Sequence, residues 1–146
     1  MTRTLAAPSL RNNQTKEATA MPKVSRDSAT QGGDFGPVVD RSDELEGYSV
    51  NFTTFREDID HTPLLRGLPD DQCQCPHWGY VIKGKMTFRF GGREEVFEAG
   101  DAFYAPPGHI PVHTEPGTEY LQFSPAEELR KTEAVMMKNM QVMQAG

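Results

Sequence analysis

Cys73-Gln74-Cys75-Pro76-His77 places three side chains able to hold a metal at every second position. Alternate residues of an extended segment point to one face, so the two thiols and the imidazole would share a side. Pro76 has no N–H for a strand ladder, and a kink is expected there. His109 and His113 follow, with Pro111 between them, again at one parity. Two antiparallel segments facing inward would bring Cys73, Cys75, His77, His109 and His113 together. Cysteines one residue apart would close a tight, strained ring, so free thiols in a reducing, cytoplasmic setting are expected. Thiolates and imidazoles suit a tetrahedral zinc ion. The spacing is not that of a zinc finger, and a set of buried polar residues without a metal is the other reading of the same residues.

The elements around this cluster read as strands. Lys85-Met86-Thr87-Phe88-Arg89-Phe90 alternates polar and apolar strictly, and Gly91-Gly92 follows as a hairpin turn. Glu94 to Glu98 returns, Gly100-Asp101 turns, and Asp101 to Ala105 is another short strand, stopped by Pro106-Pro107-Gly108. Tyr48 to Phe55, Gly79 to Lys83 and Glu119 to Phe123 also read as strands. Many short strands with regular turns predict an all-β barrel or sandwich. Met86, Phe88 and Phe90 are expected in the core. Trp78, Tyr80 and Ile82 have the parity opposite to His77 and should point outward. An outward aromatic stripe needs a cover, and a homodimer is the favoured one.

The 13 aromatic residues all lie between Phe35 and Phe123. The stretch 1–34 is rich in Ser, Thr, Asn, Gln and Ala, carries five bases against three acids, and is expected to be a mostly flexible N-terminal arm. It lacks the apolar run of a secretory signal, and its acids count against a transit peptide. Residues 35–124 form the barrel, and residues 125–146 a C-terminal helix packed on the barrel or on a partner. Ser124-Pro125-Ala126-Glu127 reads as its capping box, and Leu129, Met136, Met140 and Met143 fall on one helical face. Between Gly36 and Ser124 there are 15 acids and 7 bases, a net of −8 within a total of −6. That balance opposes nucleic acid and distant anions, and favours a cationic centre. No apolar run reaches the roughly 18–20 residues of a membrane helix, so no membrane partner is expected. His61 reads as a solvated loop residue, Asp70-Asp71 as an acidic loop with Asp71 a possible ligand, and Tyr104 as either packed in the barrel or in reach of a substrate.

Over roughly residues 45 to 123 the chain resembles the cupin superfamily. The resemblance rests on Tyr80-Val81-Ile82-Lys83-Gly84, then Gly91-Gly92, then Gly100-Asp101-Ala102-Phe103-Tyr104-Ala105-Pro106-Pro107-Gly108. It implies a jelly-roll β-barrel, often dimeric, with a metal in its mouth. The metal motif departs from the family. Histidine at His77 stands where a cupin has glutamate, seven residues before Gly84, and the two motif histidines fall near Asp71 and Cys73. The later motif histidine falls on Pro111, flanked by His109 and His113. The resemblance thus points to His77 and Cys73 directly, with Cys75, His109 and His113 as candidates from proximity.

Thiolate ligands shift the expected metal from iron toward zinc. The expectation is a metal-binding cupin acting on a small organic molecule, by isomerisation, cyclisation or hydrolysis. The alternatives are a non-catalytic module that binds a small ligand or a structural metal, and an iron-dependent dioxygenase. No acid or base stands out.

Overall fold

A computed structural model describes residues 21–145. Residues 1–20 of the expected arm lie outside the described residues. Among the described residues nine strands precede one long helix: β1 (Gln31–Asp34), β2 (Val38–Leu45), β3 (Tyr48–Phe55), β4 (His77–Lys83), β5 (Lys85–Phe90), β6 (Arg93–Glu98), β7 (Ala102–Ala105), β8 (Ile110–Thr114), β9 (Thr118–Pro125) and α1 (Ala126–Ala145). Two 3-10 turns, Thr62–Leu65 and Pro69–Asp71, lie between β3 and β4. The strands form a six-stranded sheet, in the order β1-β2-β3-β9-β4-β7, and a three-stranded sheet, β6-β5-β8. All pairings within the sheets are antiparallel. The two sheets are the all-β architecture that the strand pattern predicts, in the jelly-roll form that the cupin resemblance implies.

The core lies between the sheets, where Phe55, Val81, Met86, Phe88, Phe103 and Ala105 are buried together. Alternation on β5 buries Met86 and Phe88 as expected. Phe90, of the same parity, is 43 % exposed, because β5 runs past the core into the Gly91-Gly92 turn. Gly79 shows how tightly neighbouring strands of the large sheet pack: a Cβ there would lie 2.4 Å from Phe103 Cζ on β7 and 2.9 Å from the Leu121 carbonyl oxygen on β9.

Two strands escape the period-2 reading. β2 holds only Val38, Val39 and Leu45 as apolar residues, and it is fixed by full-length pairing with β3 through the Glu46-Gly47 hairpin, where both residues have positive φ. β1 falls inside the stretch read as a flexible arm. It adds to the edge of the sheet on β2 by backbone pairing, which asks little of side chains. The chain before it is tied down by Thr30, which donates to Asp43 from N–H and hydroxyl, and by Arg26, 2.6 Å from Glu119.

α1 packs across one end of the sheets and touches the Thr62–Leu65 turn, β9 and β3. Leu129 is buried with Leu65, Cys73 and Cys75, and Met136 packs against that group. Asn139 donates to the carbonyls of Leu64 and Arg66 at 2.7 and 2.8 Å. The helix begins at Ala126, so Pro125 still belongs to β9.

Candidate metal centre

The sequence cluster is assembled by one backbone contact between distant segments. Cys73 and His109 pair as an isolated antiparallel bridge, with Cys73 N–H donating to the His109 carbonyl at 3.0 Å. β4 starts at His77, two strand positions inward from Cys75. Cys73, His77 and His109 are all buried, and one donor atom from each lies within 4.8 Å of the others. Cys73 Sγ is 3.6 Å from His77 Nε2, and the two imidazole centroids are 4.8 Å apart. Bonds of about 2.3 Å to sulfur and about 2.0 Å to nitrogen at a tetrahedral angle span about 3.5 Å, so this donor pair has the spacing of one edge of a zinc site.

Both rings are oriented through their other nitrogen. His109 Nδ1–H donates to the Pro106 carbonyl at 2.7 Å, which leaves Nε2 with its lone pair. His77 Nδ1 is 2.7 Å from Ser124 Oγ, and as a donor there it also frees Nε2. Such partners fix the tautomer and aim of a metal-binding histidine. Burial pushes His77 down to about 3 and lowers His109, so both are neutral imidazoles at neutral pH. Burial pushes the Cys73 thiol up to about 11, so a metal must displace its proton on binding.

The other two expected ligands stand apart. Cys75 is buried, but its Sγ turns to the Pro76 carbonyl at 3.5 Å, and it packs with Leu65 and Leu129. Burial pushes its thiol up to about 12. Both cysteines are free. The His113 side chain is 61 % exposed and faces Asp58 at 3.6 Å. The parity argument for 109, 111 and 113 fails because β5 and β8 shift register between Thr87 and Phe88. Beyond that bulge Val112 and Thr114 are buried and His113 faces out. Asp71 is exposed on its 3-10 turn and accepts from Gly67 N–H, away from the cluster.

The three donors open onto a cavity of about 760 Å³ between the six-stranded sheet, the Thr62–Leu65 turn and α1. The inner face of the sheet supplies a polar row to its wall: Asp40, Asn51, Thr53, Tyr120 and Gln122. Asp40 accepts from Asn51 Nδ2 at 3.0 and 3.1 Å and from Thr53 Oγ1 at 3.0 Å. The helix supplies Leu129, Thr132, Glu133, Met136 and Met140. Crowding around the Glu133 carboxyl, with Asp40 adding like charge, pushes its pKa up to about 7.

His61 lines the same cavity. It is 8 % exposed rather than solvated, edge-on to Phe55 at 5.8 Å, and its N–H donates to the Pro111 carbonyl at 2.9 Å. Sequence reasoning missed it because the loop letters around it, Asp58 to Thr62, are polar except for Ile59. The polar row and Glu133 carried a signal that the strand reading did not use. Asn51 and Thr53 are polar at the inward parity of Phe55, and Glu133 stands four residues after Leu129 on the helix.

Comparisons follow the same outline. The family model "Cupin domain" matches residues 73–121. No curated protein matches the chain in sequence. Among solved structures, an RmlC-like cupin from Shewanella frigidimarina is 20 % identical, with a TM-score of 0.50 over 72 % of this chain and 92 % of that one. A structural-genomics protein of unknown function from Rhizobium leguminosarum is 17 % identical, with a TM-score of 0.51 over 73 % and 97 %. The polyketide cyclase RemF from Streptomyces resistomycificus is 21 % identical, with a TM-score of 0.50 over 73 % and 80 %. At such identities the structures speak for the fold alone. The matched segment, about a third of the chain, holds Cys73, His77 and His109 and the turns at Gly84, Gly91-Gly92 and Gly100-Asp101, and with the fold that surrounds it this chain resembles the cupin superfamily.

Proposed function

We propose that this cupin-like protein holds one divalent metal ion, zinc before iron, on Cys73, His77 and His109, and acts on a small organic molecule lodged in the adjoining cavity. The observation that carries the reading is the convergence of three buried donors on one part of the cavity wall. The fitting reaction class is isomerisation, cyclisation or hydrolysis. A zinc ion with an open position supplies polarisation of a substrate oxygen. Three protein donors, with Cys75 and His113 turned away, favour an open position over a closed structural site. The thiolate favours zinc over the iron of an oxygenase.

The chain's own residues then do the rest. Ser124 and the Pro106 carbonyl hold the two rings. Asp40, fixed by Asn51 and Thr53, presents a positioned acceptor. Leu129, Met136 and Met140 add an apolar wall from α1.

Metal analysis of the tag-free protein tests this. The expected result is about one divalent ion per chain, lost in His77→Ala and Cys73→Ser and kept in Cys75→Ser and His113→Ala. A folded wild-type protein that takes up no stoichiometric metal at neutral pH would overturn it. Bound metal without an exchangeable water would turn the reading to a structural site.

The partner reading is a homodimer. Tyr48, Trp78, Tyr80, Ile82, Tyr104 and Phe123 are exposed large apolar residues of β3, β4, β7 and β9. Trp78 joins them into one patch, with ring centroids 5.1 Å from Tyr104 and 6.3 Å from Tyr48 and Phe123 as its cross-strand neighbour. Tyr104 thus belongs to this outer face. A patch of that kind supports an interface with a second copy. Two reduced thiols support a cytoplasmic protein. No described helix is long and apolar enough to cross a membrane.

A further inference from the structure

The charge lining the cavity says what its occupant is. Among the described residues that line it there is no lysine or arginine. Three carboxylates line it: Asp40, Asp60 and Glu133. Phe55, Phe88, Ile59, Leu64, Leu129 and the α1 methionines make a large apolar share of the wall. The volume of about 760 Å³ lies within the range of pockets that hold drug-sized molecules.

Two titratable groups of this wall bear on the charge an occupant meets. His61 is 8 % exposed, and its Nδ1 is covered by its neighbours. Burial pushes His61 down to about 4, so it is neutral and offers no charge to an anion. Glu133 reaches the cavity from the middle of α1, and near neutral pH its carboxyl both donates and accepts, since its pKa stands at about 7. An anionic ligand would meet Asp40 and Glu133 with no cationic side chain among the described lining residues to offset the like charge.

We propose that this cavity selects an uncharged, mostly apolar molecule that carries hydroxyl or carbonyl oxygens, with Glu133 as a hydrogen-bonding partner and the Asp40–Glu133 pair disfavouring phosphorylated and carboxylated ligands. The proposal rests on the reading of the cavity as the substrate site. It does not need the metal.

Three probes with one ring system test it: 2-naphthol, 2-naphthoate and 2-naphthyl phosphate. Binding is measured near neutral pH by calorimetry on the full chain, once stripped with chelator and once loaded with zinc. In the stripped protein 2-naphthol is expected to bind at least about tenfold more tightly than either anion. Glu133→Lys should raise 2-naphthoate affinity about tenfold, and Met140→Trp should weaken all three probes by filling the space. Glu133 is exposed along the helix, so its substitution leaves the fold in place. Anions that bind the stripped wild type as well as 2-naphthol would overturn the proposal, and so would the absence of 2-naphthol binding. A protein that keeps the naphthol preference but takes up no zinc sinks the metal reading alone.

Discussion

The Ser124 hydroxyl lies 2.7 Å from His77 Nδ1 and is fully buried. In the sequence Ser124 looks like the cap of the C-terminal helix. In the fold it faces inward on β9, beside His77 across the β4–β9 ladder, and holds the ring of a candidate ligand.

Ser124→Ala is therefore expected to weaken zinc binding by roughly 10–100-fold, the usual effect of losing such a partner. Helix content should stay unchanged, since the hydroxyl is spent on His77. Competition with a chromophoric chelator reads the first effect and far-ultraviolet circular dichroism the second. Helix loss with unchanged zinc affinity would restore the capping role.

Acid should destabilise the metal-free protein through His61. Its pKa falls from 6.5 to about 4 on folding because burial disfavours the charged ring. Below 6.5 the unfolded chain binds the proton and the folded one does not. The contribution is thus full above 6.5 and is lost as pH falls toward 4, on the order of 3 kcal/mol. His77 and His109 are lowered too and act in the same direction. Urea unfolding across this range should show a flatter profile for His61→Phe than for the wild type.

Gly79→Ala should cost at least about 1–3 kcal/mol, as overpacking does. The new methyl would run into Phe103 and the Leu121 carbonyl, and the carbonyl belongs to the paired strand β9 and has little room to move. Gly47→Ala has open space around its Cβ and pays only for its positive φ, so it serves as the control in the same denaturation series.

If the aromatic outer face joins two copies, Trp78→Glu should halve the mass seen by light scattering and keep the melting behaviour of the separated chain. Trp78 is 44 % exposed and touches Tyr48 and Tyr104 on that face rather than the core. A wild-type protein that stays monomeric at high concentration would remove the dimer.

The sequence by itself determined the strands whose alternation and turn residues agree. β3 and β5 begin and end where the pattern puts them, and Trp78, Tyr80 and Ile82 face outward as their parity requires. It also named the short segment from which two of the three clustered donors come. These are local properties: the side-chain period of a strand and the φ demands of a turn are set by neighbours in the chain. The tertiary structure alone decided which donors meet. His109 joins Cys73 and His77 through a bridge between segments 36 residues apart in number, and the bulge in β8 at Val112 turns His113 away. Cys75, of the right parity, rotates its sulfur into the Leu65–Leu129 contact, which exists only once α1 has packed. The same packing forms the cavity that His61 lines and brings Glu133 near Asp40, two residues that no spacing in the sequence connects. Register and packing are cooperative, long-range outcomes, so the letters around a single residue cannot carry them.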